Sequence, residues 1–281
     1  PPVLREYGED PADGAAALVV NGEVRAAAEE ERFRRIKHWA GFPLESIRYC
    51  LQETGYTLHD LDLIAVNTDP RAALWRRLAF AIAGAPKLSL VAEKLRARSR
   101  RLSVIKKLES ALGCERVGAK YVRVEHHMAH LASAFYPSHF DEAVAASIDS
   151  SGDFASCSWG LGNKGSLAVK GRVYFPHSLG MFYTAMTQYI GFMRFGDEYK
   201  IMGLAPYGND TYVAQLRKMV AFDKAGQFRL DLGFFRHHKD SISCQFDDEG
   251  EPVVGALFSD VLDDELRCRR IPGEFLLQAH K

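Results

Sequence analysis

This chain lacks the marks of a membrane, nucleic-acid or disulfide-stapled protein. Lys+Arg and Asp+Glu are equal at 36 each, so there is no overall field of one sign to draw in a polyanion or an anionic lipid surface. No uninterrupted apolar run reaches the roughly 18 residues that a membrane-spanning helix needs. Pro1 to Glu6 carry neither the basic nor the apolar region of a secretion signal, and with no Met at position 1 the expectation is that the natural N-terminus is not shown. The five cysteines, Cys50, Cys114, Cys157, Cys244 and Cys268, are odd in number and form no Cys-x-x-Cys pair. That pattern fits a reducing cytoplasm.

With 281 residues, 47% hydrophobic and 26% charged, the chain reads as globular and is long enough for a sizeable core with room for two subdomains. Ala15–Val20 and Glu23–Ala28 flank Asn21-Gly22, the pattern of a β-hairpin. After Pro43, the apolar positions Leu44, Ile47, Cys50 and Leu51 predict a short amphipathic helix that Gly55 ends. Leu61 to Asn67 reads as a buried strand. Residues 71–112 are helical in character and basic around Lys94, Arg96, Arg98, Arg100, Arg101, Lys106 and Lys107, the composition of a solvated helix face. Tyr121–Val124 and Glu142–Asp149 are predicted strands, followed by antiparallel strands over Ala155–Leu161 and Gly165–Phe175 and a helix carrying Met181, Phe182 and Met186. Gly196 to Gly208 is rich enough in Gly and Pro to predict a shaped loop. Beyond Asn209 the pattern is weak, without repeat or low-complexity tract.

Two segments carry chemistry. In Val124-Glu125-His126-His127-Met128-Ala129-His130, His126 and His130 lie one helical turn apart on one face and can converge on a cation. Their residue types suit a divalent transition metal, and spacing does not choose iron over zinc. No acid stands between them, as a His-Glu-x-x-His hydrolase would require. In Ser147-Ile148-Asp149-Ser150-Ser151-Gly152-Asp153, a strand runs into a Gly-containing turn that can offer N–H groups to phosphate and a carboxylate to its metal. His127 faces elsewhere, either packed or in contact with substrate.

The small-residue run Ala15–Val19, the charged stretch Glu29–His38, the His126–His130 helix and Gly203-Leu204-Ala205-Pro206-Tyr207-Gly208, in that order, resemble the nodulation-factor and antibiotic O-carbamoyltransferases. The resemblance covers nearly the whole chain but only the N-terminal half of that family's pattern. It implies the architecture of actin, sugar kinases and ribonuclease H, with mixed sheets, as in tRNA threonylcarbamoyl-transfer proteins. Residues 1–140 would then form a first subdomain and 141–281 the start of an incomplete second one plus an insertion. The implied function is transfer of a carbamoyl group from carbamoyl-adenylate, made from ATP and carbamoyl phosphate, to a small-molecule hydroxyl or amine. The C-terminal half, or a partner chain, would complete the reaction.

Carried over residue by residue, the resemblance makes His126 and His130 metal ligands, with iron the usual ion. It places Gly14, Arg35, Asp149, Ser151, Gly152, Asp153, Asp197, Glu198 and Lys200 on the nucleotide side. Asp197, Glu198 and Lys200 have a second reading as a salt-bridged loop brace. Asp13, Lys37 and Asp240 are the catalytic candidates, Asp240 from the exposed-looking polar knot Arg236-His237-His238-Lys239-Asp240. One departure bears on mechanism: the family's His-Asp pair, whose His is thought to help deprotonate the acceptor, is here Ala12-Asp13. The alternative reading is therefore a non-catalytic nucleotide-binding or scaffold subunit.

Overall fold

A computed structural model describes residues 13–39, 41–83, 104–113, 117–240, 242, 244–247 and 251–280. Strands β1 (Ala15–Val20) and β2 (Glu23–Glu29) form the expected antiparallel hairpin. Asn21 and Gly22 have φ of 53° and 85°, the paired left-handed conformation whose twist matches a two-residue hairpin. A single turn, α1 (Glu31–Arg34), leads to α2 (Leu44–Thr54), which Gly55 ends in the left-handed conformation.

The buried carboxylate of Glu30 ties these pieces together. It accepts hydrogen bonds from Arg34 Nε (2.9 Å), Glu45 N (3.2 Å), Ser46 N (2.8 Å) and Ser46 Oγ (3.0 Å). A carboxylate at a helix N-terminus satisfies orphan N–H groups and meets the positive end of the helix dipole. Glu30 therefore leaves the charged stretch as a structural residue.

Strand β3 (Leu63–Val66) pairs in parallel with β4 (Lys120–Arg123). Among the described residues between them are α3 (Leu74–Ala83) and α4 (Val104–Leu112). The buried strand expected over 61–67 is corrected: β3 alternates between exposed and half-buried residues, with Leu63 51% exposed. Among the described residues β4 is its sheet neighbour on one side, and apolar composition alone does not cover a strand. Ala12 and the basic residues Lys94 to Arg101 lie outside the described residues, whereas Lys106 and Lys107 lie on α4.

Helix α5 (His126–Phe135) packs through Leu131 and Phe135 against Ala145, Leu167 and Val169 of an antiparallel sheet. That sheet is β5 (Glu142–Gly152), β6 (Ala155–Asn163) and β7 (Ser166–Tyr174), with β6 in the middle. Burying each of these large side chains contributes roughly 1.5–3 kcal/mol, enough to fix how the histidine helix sits on the sheet. Helix α6 (Leu179–Tyr189) follows, then α7 (Glu198–Leu204) and a 3-10 turn over Ala205–Tyr207. The shaped loop expected over 196–208 is thus mostly helical, because Pro206 falls at the start of the 3-10 turn, where a missing N–H costs little.

The remainder comprises α8 (Val213–Met219), the hairpin of β8 (Val220–Phe222) and β9 (Phe228–Leu230), the pair β10 (Cys244–Phe246) and β11 (Pro252–Val254), and α9 (Val261–Leu266). Their core joins Tyr189, Met219, Phe235, Phe258 and Leu262. The knot at 236–240 is corrected as well. His237 and His238 are buried, His237 Nε2 lying 2.8 Å from the carbonyl oxygen of Pro176, while Asp240 accepts from Arg236 Nε at 2.9 Å. The fold is a mixed α/β arrangement of small sheets.

Glu30→Gln replaces an all-acceptor group with one that turns an NH2 toward donors. It should destabilise the protein by about 1–3 kcal/mol, read as a lower urea midpoint at unchanged slope.

Candidate metal centre

Local forces set the start of α5. Glu125 caps the helix, accepting from His127 N (3.2 Å) and Met128 N (2.9 Å), and Arg172 Nη2 on β7 holds the same carboxylate at 3.0 Å. The helix therefore opens on His126 and shows His126 and His130 along one face, with Leu131 and Phe135 buried on the other.

Asp149 reaches that face because β5 bulges. Its pairing with β6 runs to Ile148 opposite Cys157 and resumes at Gly152 opposite Ala155, so Asp149, Ser150 and Ser151 fall out of register. His126 Nε2 lies 2.8 Å from Asp149 Oδ2 and 3.0 Å from His130 Nε2, and His130 Nε2 lies 3.7 Å from Asp149 Oδ2. The three donor atoms lie within 4.8 Å of one another. Ligands bound at about 2.0–2.2 Å to one tetrahedral ion are held roughly 3.5 Å apart, so these three groups could hold a transition-metal ion if the two shorter separations opened by a few tenths of an ångström.

Electrostatics agrees with the geometry. The hydrogen bond from His126 holds the Asp149 carboxyl down to about 2, against burial and with help from Ser150 N–H. The same contact with Asp149 raises His126. His127 resolves to the packed alternative: it is fully buried, its Nδ1 is 2.9 Å from Ser147 Oγ, and burial lowers its pKa.

Close backbone approach frames the site. A Cβ on Gly152 would lie 2.0 Å from His126 Cδ2, so this glycine makes room for the imidazole ring. A Cβ on Gly180 would lie 2.5 Å from Ser150 N and 2.7 Å from Asp149 C, so α6 rests on the bulge backbone to backbone. Ser178 caps α6 by accepting from Met181 N and donates to the Asp149 carbonyl at 3.1 Å. Asp153 is buried, and its carboxylate accepts from Thr68 Oγ1 (3.0 Å), Asp69 N (2.6 Å) and His126 N (3.0 Å). It ties the carboxyl ends of β3 and β4 to the bulge, the end where parallel α/β sheets place their ligands.

The structure thus gathers His126, His130, Asp149, Gly152 and Asp153 into one neighbourhood, with Ser151 half-buried beside them. Gly14 N donates to Trp39 O at 3.2 Å, Asp13 Oδ1 lies 3.0 Å from His38 Nδ1, and Lys37 Nζ pairs with Glu31 at 2.9 Å, all away from the His126 face. Arg35 is exposed with a left-handed backbone, φ 58°. Lys200 Nζ pairs with Asp197 Oδ1 at 2.5 Å, and Glu198 accepts from Thr184 Oγ1. Sequence reasoning missed Glu125, Arg172, Ser178 and Gly180. Glu125 and Ser178 carried a signal, each an acceptor just before a helix; Arg172, from a strand across the sheet, carried none. A cavity of about 220 Å³ between Ala72 and Arg172 adjoins the Glu125 cap. It is smaller than the roughly 300 Å³ at which ligand pockets begin.

In metal-free protein, histidine NMR should show His126 titrating above its ordinary 6.5, and Asp149→Asn should lower it. Asp149, depressed, contributes stability above its ordinary 3.8 that is lost as pH falls toward about 2. His126, raised, contributes stability below 6.5 that is lost as pH rises through its folded value. The variant's stability deficit should therefore be largest between about pH 4 and 6.5, as read in melts across pH.

The sequence matches the family described as "Carbamoyltransferase N-terminus" over residues 10–248. An uncharacterized protein of Synechocystis, sll1178, is 40% identical over 233 residues, covering 80% of this chain and 38% of that protein. Nodulation protein NolNO of Sinorhizobium fredii is 38% identical over 201 residues, covering 70% of this chain and 28% of that protein. Nodulation protein NolO of Bradyrhizobium diazoefficiens is 40% identical over 124 residues, covering 42% of this chain and 20% of that protein. The chain spans well under half the length of these curated relatives. His126, His130 and Asp149 all fall inside the matched span, and the chain belongs to the carbamoyltransferase N-terminus family.

Proposed function

We propose that this chain is the acceptor-side and metal-binding part of an enzyme that transfers a carbamoyl group from carbamoyl-adenylate to a hydroxyl or amine of a small molecule. The observation that carries the reading is the convergence of His126, His130 and Asp149 within the family's matched region. The fuller reading is a ribonuclease H-like pair of subdomains dividing near residue 140. Carbamoyl phosphate and ATP supply the donor in a C-terminal half or a partner chain.

His126, His130 and Asp149 would hold a divalent metal, iron in this reading. When bound, such an ion polarises a carbonyl or phosphoryl oxygen as a Lewis acid. The chain's own residues do the rest. Asp149, ionised down to about pH 2, supplies the anionic ligand. Gly152 leaves space for the His126 ring, and Asp153 fixes the first N–H of its helix. Arg35, exposed, and Lys37, paired with Glu31, would be the cations that meet phosphate in this reading. The scaffold reading has its own support, since Asp197, Glu198 and Lys200 are all engaged in contacts within the fold.

The test uses the full natural polypeptide, purified with its metal and given carbamoyl-adenylate, with AMP release followed against a panel of alcohols and amines. Wild type should carry about one metal ion per chain and release AMP in an acceptor-dependent way. The doubly substituted His126→Ala/His130→Ala protein should lose both. Gly152→Ala, by crowding His126, should weaken metal affinity about 10–100-fold, as supporting-shell changes do. Acceptor-independent AMP release, or full transfer by metal-free protein, would sink the proposal.

A further inference from the structure

Helix α3 carries its apolar side outward. Its sequence is Leu-Trp-Arg-Arg-Leu-Ala-Phe-Ala-Ile-Ala, and at 3.6 residues per turn Leu74, Trp75, Leu78 and Ile82 share an arc of about 100°. All four are exposed, from 44% for Leu74 to 83% for Trp75. The opposite side holds the helix to the fold. Phe80 packs edge-on against Phe154 and Phe175, with ring centroids 5.9 Å and 5.1 Å away. Arg77 Nε donates to the Ala72 carbonyl at 3.0 Å, and the Arg76 guanidinium lies 4.1 Å from the centre of the Tyr174 ring. Contacts of Arg76, Arg77 and Phe80 therefore fix which side faces out.

Clustered exposed apolar side chains mark a contact surface, and charge names the occupant. From Leu74 to Leu112, the start of α3 to the end of α4, the sequence holds ten basic residues and two acids, Glu93 and Glu109, an excess of eight positive charges in a chain whose totals cancel. The even balance of the whole hides a local excess. Trp and aliphatic side chains on one helix face, within so basic a region, are the composition of a helix that lies in a lipid headgroup layer, drawn there by anionic lipids. A nucleic acid would use the cations but leave Leu78 and Ile82 without a role. The ten residues of α3 rise about 15 Å, half the thickness of the hydrocarbon core. No helix among the described residues is long and apolar enough to cross a membrane. Helix α3 would lie on a bilayer, not span it.

We propose that α3 is a membrane-surface anchor whose Trp75, Leu78 and Ile82 enter the headgroup layer of an anionic bilayer. The positive charge of the surrounding region draws the helix in, and the apolar arc holds it there. Arg76 on α3 and Lys106 on α4 are exposed members of that charge. Trp75 has the side chain best suited to the boundary, since an indole is apolar in body and polar at its N–H. The anchor does not rest on the carbamoyl-transfer reading, and binding is measured without donor or acceptor.

The experiment mixes the full natural polypeptide with phosphatidylcholine vesicles that contain or lack phosphatidylglycerol, and reads the bound fraction by sedimentation. Wild type should bind the anionic vesicles alone, and less as salt is raised. Trp75→Ser/Ile82→Ser should weaken partitioning at least about tenfold, with melting temperature and metal content unchanged. Lipids brominated along the acyl chain should quench wild-type fluorescence, and Trp75→Phe should keep the binding while removing that quenched component. No binding to anionic vesicles would overturn the proposal, as would binding that survives the double substitution. An iodide-quenchable fraction left unchanged by Trp75→Phe in vesicle-free protein would overturn it too, by showing the face covered by another part of the polypeptide or by a second copy. Binding to RNA in preference to the vesicles would overturn it in favour of a nucleic acid.

Discussion

The contact between His126 and Asp149 organises the structure around it. It joins a helix held at one end by Glu125 and Arg172 to a strand thrown out of register at the other. Two half-buried polar groups are costly unless they meet, so each must be delivered accurately, and the surrounding residues do that work. Asp153 sets the first N–H of the helix, Gly152 clears the ring, and Ser178 and Gly180 support the bulge from behind.

Acidic residues here divide by what their oxygens already bind. Glu30, Glu125 and Asp153 are saturated with backbone N–H groups and bases from their own fold, and all three act at or beside helix starts. Asp149 and Asp13 face imidazoles at partly open positions instead. Carboxylates of the first kind are mechanical parts, and those of the second keep part of their surface open to solvent. Composition does not separate the two, because Glu29, Glu30 and Glu31 are adjacent and identical in type yet sit in different surroundings: Glu30 is wholly buried, Glu31 half-buried and Glu29 exposed.

What sequence made legible was local. The Asn21-Gly22 turn, the helix stopped at Gly55 and the one-turn spacing of His126 and His130 depend on neighbours a few residues away, and all appear as read. Asp149 reads from the sequence as a carboxylate for phosphate or for its metal, and its approach to His126 is not legible there, because its direction follows from a bulge set by pairing with β6. The burial of His237 and His238 depends on Pro176, some sixty residues earlier, and on a core assembled from segments far apart in sequence. The helix at Glu198–Leu204 was hidden by counting Gly and Pro without their positions, since Gly196 lies before it and Pro206 after it. The Asp13–His38 pair was invisible for the same reason as the bulge: only the bond from Gly14 to Trp39 makes the two neighbours.

The seat of α6 on the bulge has a mechanical consequence. At residue 180 main chain meets main chain, with no flexible side chain between to absorb displacement. Further along the same helix, Ala185 and Tyr189 are embedded in the core built from α8 and α9. Packed interiors transmit strain rather than dissipate it. The helix therefore forms a stiff connection between the Asp149 bulge and that distant core, so a displacement in the core would be carried to a residue the core does not touch.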